Sequence, residues 1–225
     1  MPAAIEVRRM FGAIAGRYDL LNRILSLGTD MAWRERACEV LEVARGERAI
    51  DLCCGTGDLS LALARRGARV IGADFSHEML VIAAGKGAGT AGGLVEADCL
   101  ALPFSDGAFR VATVAFGVRN LSDLEKGLRE IRRVLEPGGR LGILEFATPP
   151  GPLFRSIYRI YLRWAVPVVG ALVSGRRSAY DYLSSSIQSF PDQTRMETIL
   201  RGIGFTSVRH VDLARGIAAL YIGYR

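Results

Sequence analysis

The chain has 225 residues, 50% hydrophobic and 23% charged, which suits one α/β domain with a full core and excludes a low-complexity or disordered chain. Its formal charge of +6 would permit nucleic acid or an anionic membrane as partner, but the basic residues are spread along the chain and no nucleic-acid partner is expected. Cys38, Cys53, Cys54 and Cys99 show no Cys-x-x-Cys spacing and His77 and His210 are the only histidines, so no metal site is expected and the thiols read as reduced, in the cytoplasm. Arg8 and Arg9 are followed by Gly12, Gly16, Arg17 and Asp19 rather than by an apolar run, so a signal peptide is not expected.

Residues 5–45 carry Met10, Phe11, Ile14, Tyr18 and Leu21, then Trp33, Ala37 and Leu41, at helical spacing. The spacing predicts two helices joined by a turn at 26–30, in which Thr29 or Asp30 can cap the second. Tyr18-Asp19, Asn22, Asp30 and Trp33-Arg34 are core or cap residues, or parts of a helical lid.

The stretch around which the chain is organised follows. Ala49 to Cys54 is a short apolar run holding one carboxylate, Asp51; Gly55-Thr56-Gly57 comes next, then the amphipathic run Leu59 to Arg65. This is strand, glycine turn, helix. Such a turn lets a ligand approach backbone that no Cβ shields, and the helix offers it unpaired N–H groups. Asp51, in a buried strand, needs a cation or several donors; a ligand bearing an ammonium and a sulfonium would serve where a pyrophosphate would be repelled. A carboxylate capping its own turn is the plainer alternative.

Residues 68–74 predict a second strand ending in Asp74, roughly 20 residues after the first strand and so placed to accept two ribose hydroxyls. Asp74 could instead cap the next helix, although Ser76 stands better for that. Gly93 to Glu96 is a third strand, and Asp98-Cys99 after it could take an adenine amine. Val111 to Ala115 is a fourth strand, closed by Phe116-Gly117-Val118-Arg119-Asn120, which sets Arg119 and Asn120 at the pocket mouth unless the arginine is merely solvated. Leu124 to Leu135 is an amphipathic helix, Glu136-Pro137-Gly138-Gly139 breaks it, and Leu141 to Phe146 is a fifth strand. The alternation argues a doubly wound parallel sheet.

Residues 150–190 break that rhythm. Arg155, Arg159 and Arg163 lie among Phe154, Ile157, Tyr158, Ile160 and Tyr161, and the apolar run from Trp164 to Val173 is about half of the ~20 residues a spanning helix needs. The segment reads as a lid over an oily substrate, as an interfacial helix with arginines to the headgroups, or as a structural hairpin; Tyr180 and Tyr182 favour the lid. A helix from Pro191 to Arg201 and an antiparallel strand pair, Ser207 to Val211 and Ala218 to Tyr224, complete the chain.

Asp51 with Gly55-Thr56-Gly57, Asp74, Asp98, Leu102-Pro103-Phe104 and Pro137-Gly138-Gly139 resemble the class I S-adenosylmethionine-dependent methyltransferases. Tyr18-Asp19-Leu20-Leu21-Asn22, Leu25 to Asp30 with Trp33-Arg34, Cys54 to Asp58, Phe116 to Asn120, and Tyr182-Leu183 with Ser186-Ile187 and Phe190-Pro191 are similar to the menaquinone/ubiquinone C-methyltransferase family, over nearly the whole chain. The resemblance implies a Rossmann-like, mostly parallel sheet with an antiparallel terminal strand, N-terminal helices and a helical lid insertion. It implies one domain over 1–225: a lid at 1–45, a cofactor core at 46–149, a substrate lid at 150–190, and a helix and strand pair at 191–225. The implied reaction is C-methylation of a prenylated hydroquinone, demethylmenaquinol or a ubiquinone-pathway benzoquinol, with S-adenosylmethionine as cofactor. Thr56, Asp74, Asp98, Cys99 and Ala115 would then touch the cofactor with Asp51, Gly55 and Gly57; Arg119 and Asn120 would serve catalysis, and Tyr18, Trp33, Tyr180 and Tyr182 the substrate. Ala115 stands where several relatives carry serine, and Arg110 where an aspartate is common. Expected partners are the quinol, transiently the inner face of a membrane, and a second copy in a homodimer. A nicotinamide oxidoreductase is disfavoured by Asp51, a non-enzymatic membrane-surface module would leave the pocket acids idle, and a methyltransferase for another apolar small molecule is disfavoured by the family motifs.

Overall fold

In a computed structural model, which describes residues 4–26, 28–165, 168 and 177–225, seven strands form one sheet in the order β3-β2-β1-β4-β5-β7-β6. They are β1 (Arg48–Leu52), β2 (Arg69–Asp74), β3 (Gly93–Glu96), β4 (Phe109–Ala115), β5 (Leu135–Phe146), β6 (Thr206–Leu213) and β7 (Ala218–Tyr224). The first five run parallel, and β7 pairs antiparallel with both β5 and β6. The helices are α1 (Ala4–Leu25), α2 (Thr29–Val40), α3 (Asp58–Arg65), α4 (His77–Gly85), α5 (Leu124–Val134), α6 (Pro152–Ile160), α7 (Arg177–Ser189) and α8 (Gln193–Ile203), with a π turn at Tyr161–Ala165.

The central strands are largely apolar because helices cover both faces, and successive side chains alternate between two cores; the edge strand β6 is mostly polar. Ile50, Ala112, Ile143 and Tyr221 join Leu128 and Ile131 of α5 and Met196 and Leu200 of α8; Ala49, Val111, Leu144 and Leu220 join Trp33 and Ala37 of α2 and Leu59 and Leu63 of α3. Each fully buried Leu or Ile contributes roughly 1.5–3 kcal/mol over an exposed one, so the sheet is held from both sides. The strand order reverses between β1 and β4, which opens a crevice at the carboxyl ends of the strands.

Two local expectations need correction. Gly28, in the left-handed region, is the N-cap of α2, so Thr29 and Asp30 lie inside its first turn; the Ser26 hydroxyl bonds to the Asp30 carboxylate at 2.9 Å, and Arg34 Nη1 donates to Asp30 Oδ2 at 2.6 Å. The break at 136–139 does not precede β5 but sits within it. Leu135 already pairs with Phe109, Arg140 pairs with Val111, and the four residues between bulge out around Gly138 at φ 74°. Ser76 does cap α4, accepting from Met79 N, and Asp192 caps α8. The run from Trp164 to Val173 lies largely outside the described residues.

Candidate active site

A cavity of about 380 Å³ occupies the crevice, and every parallel strand from β1 to β4 contributes the residues just past its carboxyl end. Cys53 and Gly55 follow β1; Asp74 ends β2 and Phe75 follows; Glu96, Ala97, Asp98 and Cys99 come from β3 and its loop; Ala115, Phe116, Gly117 and Asn120 close β4. Tyr18 and Arg8 of α1 lie across it.

Asp74 is buried and ties the glycine turn to β2: Gly55 N donates to Oδ2 at 2.9 Å and Ser76 N to Oδ1 at 2.8 Å. Burial pushes its carboxyl up, and the amides of Ser76, Gly55 and Phe75 hold it down in part. Each oxygen keeps a lone pair for the cavity, so the residue can take a pair of ligand hydroxyls as well. Asp98 is exposed and accepts from Leu100 N at 2.9 Å, leaving its second oxygen for an amine. Cys99 and Cys53 meet in the wall with sulfurs 3.5 Å apart; the hydrogen bond between them and burial push the Cys53 thiol up. Gly57 caps α3 at φ 83°, and a Cβ there would strike Ala88. These donors, acceptors and bare backbone fit a nucleoside linked to an amino acid.

Three expected ligand contacts are not on the cavity wall. Asp51 accepts from the Ser60 hydroxyl of α3 at 2.6 Å and the Thr113 hydroxyl of β4 at 3.0 Å, so its hydrogen bonds come from within the protein. Burial pushes its carboxyl up to about 6, the two hydroxyls opposing. Thr56, beneath the turn, donates to Asp19 Oδ1 at 2.5 Å, and Lys86 Nζ bridges Asp19 Oδ2 at 2.9 Å, the Thr56 hydroxyl and Asp58. This network straps α1, and with it Tyr18, over the cavity. Gly57 likewise shapes the turn from behind rather than lining the cavity.

The wall at the end of β4 is built by Phe116, Gly117 and Asn120. Phe116 adopts φ 56°, a strained conformation for a non-glycine residue, and Gly117 comes so close to Cys53 that a Cβ would overlap it. Arg119 does not face the cavity mouth. Its side chain is 4% exposed, and Nη1 donates to Phe116 O and to Glu145 Oε1, both at 2.6 Å. Arg119 Nε has no hydrogen-bond partner among the described residues. Glu145, fully buried in β5, also accepts from Phe146 N at 2.9 Å; burial pushes its carboxyl up and the Arg119 charge is the largest opposing influence. The pair therefore holds the Phe116 turn, whose carbonyl also receives Asn120 Nδ2 at 3.5 Å. Asn120 Oδ1 accepts from the Tyr182 hydroxyl of α7 at 3.0 Å, which brings α7 to the same wall.

Trp33, expected to touch substrate, is buried behind that wall, 6.2 Å from the Phe116 ring, with Arg34 Cζ 5.5 Å above the same ring. Tyr18 lines the cavity; burial pushes its hydroxyl up, against an Asn22 hydrogen bond and the charge of Arg119. The side chain of Tyr180 lies outside the described residues. Sequence reasoning missed Glu145 and Lys86. A lone carboxylate in an apolar strand, the same signal that marked Asp51, could have found the first; the scarcity of lysine, only Lys86 and Lys126, was the cue for the second.

A parallel sheet reversed at β1/β4, with a nucleoside-shaped crevice between a glycine turn, an acid ending β2 and an acid after β3, defines a Rossmann-like methyltransferase. A SAM-dependent methyltransferase from Thermotoga maritima shares the fold, with a TM-score of 0.69 over 96% of this chain and 98% of that one, at 16% identity. The chain belongs to the ubiE/COQ5 methyltransferase family, whose model matches residues 3–225. It is similar to a demethylmenaquinone methyltransferase of Thermus thermophilus, 49% identical over 96% of this chain and all of the relative. It is also similar to a ubiquinone/menaquinone biosynthesis C-methyltransferase of Geotalea uraniireducens, 41% identical over 97% of this chain and 95% of the relative.

Proposed function

We propose that the protein moves a methyl group from S-adenosylmethionine to a ring carbon of a prenylated hydroquinone, with demethylmenaquinol as the acceptor. The observation that carries this reading is that Phe116, Gly117 and Asn120, from one of the two stretches particular to the family, and Tyr18, from the other, line a single cavity with Gly55 and Asp74. The near full-length likeness to the Thermus protein, named for demethylmenaquinone, supports the choice of ring.

S-adenosylmethionine supplies an electrophilic methyl group on a sulfonium. On this chain, Asp74 would hold the ribose hydroxyls and Asp98 with Cys99 the adenine edge; Gly55, which Thr56 and Gly57 hold in place from behind, would receive the amino-acid end, and Ala115 would lie near the transfer point. A ring carbon attacks well only as the neighbouring hydroxyl loses its proton, and a phenol with a pKa of about 10 is mostly neutral at pH 7. Arg119 would act from behind the wall as half of an ion pair: its charge opposes the burial that raises the hydroxyls of Tyr18 and Tyr182, while Glu145 works against it at Tyr182. The Tyr182 hydroxyl donates its hydrogen bond to Asn120 Oδ1, which leaves the tyrosine oxygen free to accept from the ring hydroxyl. An arginine is a poor base, so the proton departs to water. Residues 1–45 and 150–190 act as lids on the 46–149 core, Tyr180 belongs to the substrate side, and the protein works in the cytoplasm against the inner face of a membrane, as a homodimer in this reading.

A benzoquinol acceptor is the second reading, favoured by the relatives named for both quinones. Methyl transfer from labelled S-adenosylmethionine, with reduced demethylmenaquinone and reduced demethylated benzoquinone offered separately in detergent micelles, decides between them. Label on the naphthoquinol alone supports the first reading, and label on both makes the enzyme dual. Cofactor binding without label on either would overturn the substrate assignment.

A further inference from the structure

From Phe146 to Tyr180 the sequence holds no Asp or Glu and five arginines, Arg155, Arg159, Arg163, Arg176 and Arg177. Within this stretch α6 and the π turn after it are two-faced. Tyr158 is buried on the inner side, packed with Ile187 of α7 and against Met10, Phe146 and Leu183. On the other side Leu153, Ile157, Ile160 and Trp164 recur at steps of four, three and four, the spacing of one helix face, and are 77%, 54%, 62% and 64% exposed. Arg159 and Arg163 are exposed beside them, Arg163 with its guanidinium carbon 5.8 Å above the Trp164 ring. Arg155, by contrast, is turned back on its own helix start, donating to Pro149 O at 2.9 Å and Pro150 O at 3.1 Å.

Four large apolar side chains in one stripe facing water are the mark of an interaction surface. α6 has nine residues where a span needs about 20, and no helix among the described residues is long and apolar enough to cross a membrane. The stripe can therefore lie in an interface but not pass through it.

We propose that α6 and its π turn are the element that seats the protein on an anionic phospholipid bilayer. Leu153, Ile157, Ile160 and Trp164 enter the headgroup and acyl boundary, and Arg159 and Arg163 reach the phosphates along their apolar stems. Charge decides for lipid over a second copy of this chain: self-docking through this face would set arginines against arginines with no acid from the stretch to pair them, whereas anionic headgroups complement it. The inner face gives the seat a purpose. Tyr158 packs on Phe146, whose ring is 4.6 Å from that of Phe116 in the cavity wall, so the bilayer would stand about one helix diameter, ~10 Å, from the catalytic cavity. This purpose rests on the quinol reading; the seating itself does not.

The test is flotation of the full chain with phosphatidylcholine vesicles and with vesicles containing phosphatidylglycerol. Binding to the anionic vesicles, weakened by salt, is expected. Arg159→Gln with Arg163→Gln should weaken it roughly 25-fold, about fivefold for each arginine. Ile157→Asp with Ile160→Asp should abolish it while the thermal midpoint and the far-ultraviolet circular dichroism of the chain stay unchanged. Equal binding to neutral vesicles, no binding to either, or unaltered binding by the Asp variant would overturn the proposal. So would sedimentation velocity without lipid, if it showed a dimer that the Asp variant dissolves. Vesicle binding without methyl transfer to any quinol would leave the seat standing and remove the quinol reading.

Discussion

Asp51 and Glu145 are both buried acids near the carboxyl ends of parallel strands, and the molecule satisfies them in opposite ways. Under the glycine turn Asp51 is held chiefly by the neutral hydroxyls of Ser60 and Thr113, with the Arg34 charge a lesser influence, so its desolvation is part-compensated and its proton leaves near pH 6. Under the Phe116 turn Glu145 has a guanidinium, and the pair is fastened to backbone on both sides. The first arrangement makes a rigid turn without a net charge partner. The second installs a cation one layer behind a cavity wall and spends strain at Phe116 to do it. The two regions therefore differ in what a mutation should cost.

The sharpest break is at the ion pair. Arg119→Ala should cost about 3–5 kcal/mol in chemical denaturation, because Glu145 is left buried and unpaired. Replacing both, Arg119→Met with Glu145→Leu, should recover most of that stability yet leave turnover at saturating substrate down by roughly 10²–10³. Wild-type turnover in the double variant would show that the pair is scaffold alone.

At Asp51 the effect is smaller and depends on pH. A carboxyl raised from 3.8 to about 6 binds its proton more tightly in the folded chain, so its contribution is fully present below about pH 4, falls as pH rises through 6, and is absent above. At ~1.4 kcal/mol per pH unit the swing is about 3 kcal/mol. Asp51→Asn should remove that slope between pH 4 and 6 and raise stability at pH 8 by about 2 kcal/mol, read from urea midpoints across the pH series. An unchanged slope would assign the charge of Asp51 to a partner other than solvent protons.

The mildest change sharpens the comparison at the ring wall. Tyr182→Phe removes one hydrogen bond to Asn120, worth about 0.5–1.5 kcal/mol, and should lower kcat/KM roughly three- to tenfold with cofactor affinity unchanged. A parallel loss of cofactor affinity would place Tyr182 on the wrong side of the cavity.

Most of the architecture was legible in the chain. Alternating apolar runs and amphipathic segments marked six of the seven strands to within a few residues and β5 only in its second half, and Gly55, Asp74 and Asp98 fell at the strand ends where the cavity opens, because strand period and turn chemistry are local properties. The Tyr18 and Phe116–Asn120 motifs also pointed to walls of that cavity. What was illegible was the direction in which a side chain at a strand end turns. Asp51 and Arg119 both carried the right signal of a charge beside the pocket, yet Asp51 is claimed by Thr113 from a neighbouring strand and Arg119 by Glu145 from another, contacts 62 and 26 residues apart that no spacing rule contains.

The sequence by itself determined the class of fold, the place of the crevice and the acids at its rim, since these follow from periodicity, glycine and the run of one strand into one turn. Only the tertiary structure decided that Arg119 pairs with Glu145 behind the wall, that Trp33 and Arg34 pack against Phe116, and that Lys86 straps α1 over the cavity. It also decided which face of α6 is spent on the protein and which is left for a partner. The reason is competition: a buried charge or an apolar face goes to the partner that packing brings within reach, and packing is settled between elements distant in the chain.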